Sequence, residues 1–240
     1  MPILRAACPL PRPMLTLGIE TATDVCAVAL LSGGDLVFEA AVHLPRQHGR
    51  RLAPLVDEAL AHAGHGPDAL GLVAVSAGPG SYTGLRIGTA TAKGLCLATG
   101  AAFVAVPTLL ALADGARPFG PPGAVVAVLP SRRGEVYAAA YRLDGDVLAE
   151  VRPAAALALT DAAGWLPDGP LAAVGAGADR LLGAAPDRDW RPLPVAASAA
   201  RVARLGQERV AAQGVDDLAA SEPLYLKPVA ATRPRGILGG

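Results

Sequence analysis

The chain is poor in cysteine and in charge, and each shortage closes off a class of proteins. Only three cysteines occur in 240 residues, Cys8, Cys26 and Cys96. They lie far apart and form no C-x-x-C pair, which excludes a disulfide framework and a cysteine-based zinc site and suits a reduced, cytosolic setting. Charged residues make up 18% of the chain and the formal net charge is zero. Lys and Arg never cluster beyond a pair, apart from Arg233 and Arg235 near the end. A protein that grips nucleic acid alone carries a basic stripe, so any RNA would have to be held by a partner. No run approaches the roughly 18 uninterrupted apolar residues of a membrane-spanning helix. Arg5-Ala6-Ala7-Cys8 faintly suggests a lipoprotein cleavage site, but the apolar stretch before it is too short and Pro9, Pro11 and Pro13 follow. Residues 1–13 read as a disordered leader, or as the product of a start-site choice, since Met14 opens the first strand.

Glycine, by contrast, is abundant, and the chain is organised around Gly78-Pro79-Gly80-Ser81-Tyr82-Thr83-Gly84-Leu85-Arg86-Ile87-Gly88. An apolar run, Leu70 to Ala77, precedes it and predicts a buried strand. Ser81 or Thr83 can cap the helix that follows, accepting a free N–H of its first turn. In that helix Gly84, Gly88 and Ala92 fall four apart, so one face is nearly bare. Glycine inside a helix costs about 0.5–1 kcal/mol relative to alanine. Two things could offset that cost: a backbone packed close against the bare face, or an anion at the N-terminal loop.

The pattern before this stretch predicts strands over Leu15–Thr21, Val25–Leu31 and Leu36–Leu44, joined by short turns into an antiparallel meander. A helix over His48–Ala63 follows, its apolar face set by Leu52, Leu55, Val56, Ala59 and Leu60. A short strand, Ala102–Val106, and a helical turn, Leu109–Ala113, end the first half. Gly115–Gly123 reads as a linker. The meander then recurs as Ala124–Leu129, Glu135–Arg142 and Val147–Val151. A weak helix near Leu157–Gly164, a strand Leu171–Gly175 and a helix Ser198–Gln213 complete the chain. Both halves begin with a β-meander and continue with alternating helices and strands, which predicts a duplicated mixed α/β unit of the ribonuclease H-like kind. The domains are expected at 14–114 and 115–227, with a flexible tail at 228–240.

In such folds the first hairpin turn of each half faces a shared cleft, where acidic side chains place a cation beside nucleotide phosphates. Here the first turn offers Glu20, Thr21 and Thr23, and the second Pro130-Ser131-Arg132-Arg133 without a carboxylate. One acid makes a poor magnesium site, so a kinase or ATPase is disfavoured and no cofactor or metal is expected. Residues 78–84 lack the Gly-Lys-Ser/Thr ending of a Walker loop and the third glycine of G-x-G-x-x-G. Neither Ser76 nor Ser81 sits in G-x-S-x-G, and H-E-x-x-H is absent, which leaves a peptidase unmarked. The four histidines read as surface residues, and Cys26 and Cys96 as core thiols.

The 78–88 string closely resembles the signature of the bacterial TsaB family, whose members take part in making threonylcarbamoyladenosine in tRNA. Supporting landmarks are Leu17-Gly18-Ile19-Glu20-Thr21-Ala22-Thr23, His48 through Leu60, Val106-Pro107-Thr108-Leu109, Arg132-Arg133-Gly134-Glu135-Val136-Tyr137 and Pro223-Leu224-Tyr225-Leu226. The resemblance implies an actin-like ATPase fold and a non-catalytic, cytoplasmic subunit, the chemistry belonging to a paralogous TsaD-like partner. It implies docking through the N-terminal helices, self-pairing through the same surface when alone, a TsaE-like ATPase as a further partner, and tRNA reached only indirectly. On this chain the interface would be Ser81, Tyr82, Thr83, Gly84, Leu85, Arg86, Gly88 and Ala92. The family usually carries Asp where Glu20 stands and again where Pro130 stands, and both departures speak against a working nucleotide site.

Overall fold

The computed structural model describes residues 15–43, 47–121, 123–145 and 147–227. The expected leader and the tail at 228–240 lie outside the described residues. The described chain builds two five-stranded mixed sheets with the same topology.

In the first sheet, β1 (Leu15–Glu20), β2 (Cys26–Ser32) and β3 (Asp35–Val42) form the antiparallel meander, and β4 (Leu70–Ser76) and β5 (Ala102–Val106) join β1 in parallel, in the order β3-β2-β1-β4-β5. Helices α1 (His48–His62) and α2 (Tyr82–Thr99) make the crossovers, and α3 (Thr108–Asp114) follows β5. The second sheet repeats this as β8-β7-β6-β9-β10, from β6 (Ala124–Pro130), β7 (Glu135–Asp144), β8 (Val147–Ala158), β9 (Leu171–Val174) and β10 (Trp190–Pro192). Its helices are α4 (Ala162–Trp165), α5 (Ala178–Ala184) and α6 (Ala199–Gln213). The duplication expected from the recurring meander is the architecture.

The alternation along β1 explains how this sheet is covered on both faces. Leu15, Leu17 and Ile19 enter a core shared with Leu52, Val56 and Leu60 of α1 and with Ala92 and Cys96 of α2. Thr16 and Gly18 meet α6 instead: Gln207 Nε2 donates to Thr16 Oγ1 at 2.9 Å, and a Cβ on Gly18 would fall 2.1 Å from the Ala199 carbonyl. Gly206 also meets the sheet closely, since a Cβ there would fall 2.5 Å from that of Ala74. Val202 and Leu205 of α6 complete a core with Leu72, Ala74, Val104 and Val106 of the first sheet. Conversely Leu109 and Leu112 of α3 pack with Val125 and Ala127 of the second. Each half therefore sends its last helix onto the other half's sheet, so the 114/115 boundary divides the sequence but not the packing. We propose that the folding units are 15–106 with α6, and α3 with 124–192.

Three further differences from the sequence reading have local causes. The weak helix near 157–164 starts later than expected, as a 3₁₀ turn at Leu159–Asp161 followed by α4, because β8 runs to Ala158, where Ala155–Ala158 pair with Glu135–Ala138 of β7. The 115–123 segment holds a 3₁₀ turn at Arg117–Phe119. The helix α5 and the three-residue β10 escape periodicity because they are too short to show one.

Candidate functional site

Both meander turns face a cavity of about 830 Å³ between the two sheets. The β1–β2 turn contributes Ala22–Val25, and the start of α2 contributes Gly80–Tyr82. The opposite wall comes from Pro130–Arg132, Tyr137, the Gly175-Ala176 loop and 193–197. Its floor is apolar, with Leu112, Leu129, Leu193 and Val195. Asp24 is the one carboxylate among the lining residues and His43 the one imidazole.

Glu20, the acid expected to face this cavity, turns away from it. Its side chain is 1% exposed, and Oε1 accepts from the Ala22 N–H at 2.7 Å while the Thr23 N–H and the Ser76 hydroxyl also donate to the carboxyl. Desolvation outweighs those donors and raises its pKa from 4.5 to about 7. Thr21 is fully buried and only Thr23 of the three first-turn candidates reaches the cavity wall. Glu20 is a turn-forming group. Among the described residues no cluster of three or more His, Cys, Asp or Glu side chains is arranged to hold a metal ion. Ser76 is fully buried, its oxygen also accepting from the Thr21 N–H, and Ser81 is the N-cap of α2, accepting from the Gly84 N–H at 3.3 Å.

The glycine-rich loop is packed against protein on its glycine side. The Gly78 N–H donates to Thr108 Oγ1 at 2.9 Å and the Ser81 N–H to the Ala22 carbonyl at 2.7 Å. A Cβ on Gly80 would lie 2.3 Å from the Ala22 carbonyl oxygen, on Gly84 2.0 Å from that of Thr21, and on Gly88 2.2 Å from Thr21 Oγ1. The bare face thus lets α2 lie directly on the β1–β2 turn. This corrects the expected interface: Gly84, Leu85, Gly88 and Ala92 are buried inside their own lobe. Ser81, Tyr82, Thr83 and Arg86 remain on the surface, and Ala90, Gly94 and Leu97 continue the exposed side of the helix.

His48 is a positioning residue and not the surface histidine that the sequence suggests. The first residue of α1, it is 6% exposed, and its Nε2 donates to the carbonyls of Thr23 at 3.0 Å and Val25 at 3.3 Å. Together with Ser81 it clamps the cavity turn onto the two N-terminal helices. No periodicity marks such a residue, since its partners are backbone carbonyls of a distant turn. Cys26 and Cys96 are buried core thiols, as expected, with burial pushing both up to about 11.

A duplicated β-meander sheet with a cavity between the two copies defines the actin-like ATPase class of folds. A solved structure of that topology, YeaZ from Pseudomonas aeruginosa, superposes with a TM-score of 0.78 over 90% of this chain and 100% of its own, at 27% identity. The family model for TsaD, tRNA N6-adenosine threonylcarbamoyltransferase, matches residues 42–222. The chain belongs to this family. It is 38% identical over 133 residues to the tRNA threonylcarbamoyladenosine biosynthesis protein TsaB of Escherichia coli, covering 55% of this chain and 56% of that protein. It is 33% identical over 153 residues to TsaB of Bacillus subtilis, covering 64% and 65%. The alignments therefore span between half and two thirds of these curated relatives.

Proposed function

We propose that this chain is a non-catalytic, cytoplasmic subunit in the formation of threonylcarbamoyladenosine in tRNA, which docks on a TsaD-like catalytic partner through α1 and α2. The involvement in tRNA threonylcarbamoyladenosine biosynthesis follows from the TsaB relatives. The observation that carries the scaffold reading is the fate of the two turns. The acid of the first is sealed under its own backbone, and the second presents Pro130 where a carboxylate would be needed. What the N-terminal lobe does present is the outer side of α2, with Arg86, Ala90, Gly94 and Leu97 spaced along one stripe. Leu97 is 77% exposed and adds the one large apolar side chain of that stripe. The same stripe would serve self-pairing of the free chain, and a TsaE-like ATPase would join the assembled complex.

The test is co-purification with the threonylcarbamoyltransferase of the same organism, followed by a tRNA modification assay with and without this chain. Leu97→Glu places a charge in the docking stripe without touching the core, and is expected to abolish complex formation in sedimentation while leaving the melting temperature unchanged. Retained binding in that variant would remove α2 from the interface. Two competing readings have their own measurements. A kinase or ATPase requires nucleotide binding with Mg²⁺ by the isolated chain in calorimetry. A peptidase would lose activity on replacement of Ser81.

A further inference from the structure

The last described segment, 216–227, does not belong to either repeat, yet it touches both. Asp216 fixes its start on β5, the edge strand of the first sheet: its N–H donates to the Phe103 carbonyl at 3.1 Å and its Oδ2 accepts from the Ala105 N–H at 2.8 Å. Asp217 Oδ1 then accepts from the N–H groups of Ala219 and Ala220, closing a turn. Leu218 packs on the first core. Beyond that turn the anchoring is lighter. The Leu224 N–H donates to the Ala77 carbonyl at 2.7 Å, and the Tyr225 ring meets Tyr82 with centroids 5.1 Å apart. Arg86 lies over the Tyr82 ring at 4.7 Å and also hydrogen-bonds Tyr225. Lys227 crosses to the second lobe and pairs with Glu135 at the start of β7.

Tyr82 and Arg86 are the exposed large side chains of the first two turns of α2, and both are engaged by Tyr225. We infer that 222–227 is an intramolecular strap over the N-terminal end of the α2 docking face, and that it leaves that face when a TsaD-like partner seats there. The inference rests on the docking reading of α2 given above. The division of labour along the segment suits this role. The 216–221 anchor keeps the strap tethered, whereas the strap itself is held by one backbone hydrogen bond from Leu224, two partly exposed tyrosines, an arginine and one ion pair. Contacts of that kind are individually weak and reversible.

A strap closed over the binding surface lowers the apparent affinity by the fraction of molecules left open. The double variant Tyr225→Ala/Lys227→Ala removes its two side-chain grips and leaves α2 intact. The purified full-length threonylcarbamoyltransferase of the same organism serves as the titrant in calorimetry. The expected result is a dissociation constant roughly 3- to 30-fold tighter than that of the unaltered chain, the range set by one aromatic pair and one ion pair. Lys227→Glu, which reverses the charge facing Glu135, is expected to shift affinity in the same direction by a smaller factor, and circular dichroism checks that both variants fold. Unchanged affinity overturns the strap while leaving the docking face standing. Weaker binding overturns it as well, because it makes 222–227 a part of the interface. Absence of binding by altered and unaltered chains alike overturns the docking reading, and the strap with it.

Discussion

Glu20 shows how one side chain can keep a motif's position and give up its chemistry. The residue stands at the end of the first strand, where a cation-binding acid would be, but its carboxyl folds back onto the N–H groups of Ala22 and Thr23. Its pH signature follows. With a native pKa near 7 against 4.5 for the free side chain, the folded state holds a proton that the unfolded state releases between those values. Stability therefore falls as pH rises from about 4.5 to about 7, and the full penalty is present above that window. Glu20→Gln removes the titration. It is expected to raise stability at pH 8 by up to about 3 kcal/mol, the free-energy equivalent of the shift, and to leave stability at pH 4.5 little changed. Urea unfolding at the two pH values measures both effects. Equal gains at both pH values would assign the effect to packing instead of charge.

The helix α2 has two bare stripes, and they serve opposite purposes. Gly84 and Gly88 face inward, where the β1–β2 turn leaves no room for a methyl group, while Gly94 faces outward, where an added Cβ would have nothing within 4 Å. Gly84→Ala is expected to destabilise the chain by roughly 1–3 kcal/mol through overpacking against the Thr21 carbonyl. Gly94→Ala should stabilise it by about 0.5–1 kcal/mol through helix propensity alone. Thermal melts of the two variants should move in opposite directions, and parallel shifts would contradict the assignment of faces.

For the whole molecule, the exchange of α3 and α6 has the largest consequence. Without α6, the first sheet exposes Leu72, Ala74, Val104 and Val106. A fragment of residues 14–114 is accordingly expected to aggregate or to lack a cooperative melt, and a peptide covering 198–214 should restore one. A cooperative transition in the fragment alone would show that the first lobe is autonomous. The exchange also ties the lobes at Asp114, a buried carboxylate at the end of α3 that pairs with Arg117 and with Arg204 of α6.

Much of this molecule can be read directly from the chain. Strand alternation and turn glycines are local, so the two meanders, the α1 face and the cap of α2 are legible from spacing, and so is the duplication that they imply. The 78–88 string also carries the family. The sequence leaves open which partner each element will find. A helix with an apolar stripe does not state whose sheet it covers, a glycine row does not state whether the close neighbour is its own lobe or another chain, and an acid at a strand end does not state whether it faces a cleft or its own backbone. Those answers depend on contacts between residues far apart in the chain, such as Thr21 with Gly84, His48 with Val25, Gly18 with Ala199 and Tyr225 with Tyr82. Only the tertiary structure decides them, because burial, close packing and desolvation are properties of the assembled neighbourhood and no single segment contains them.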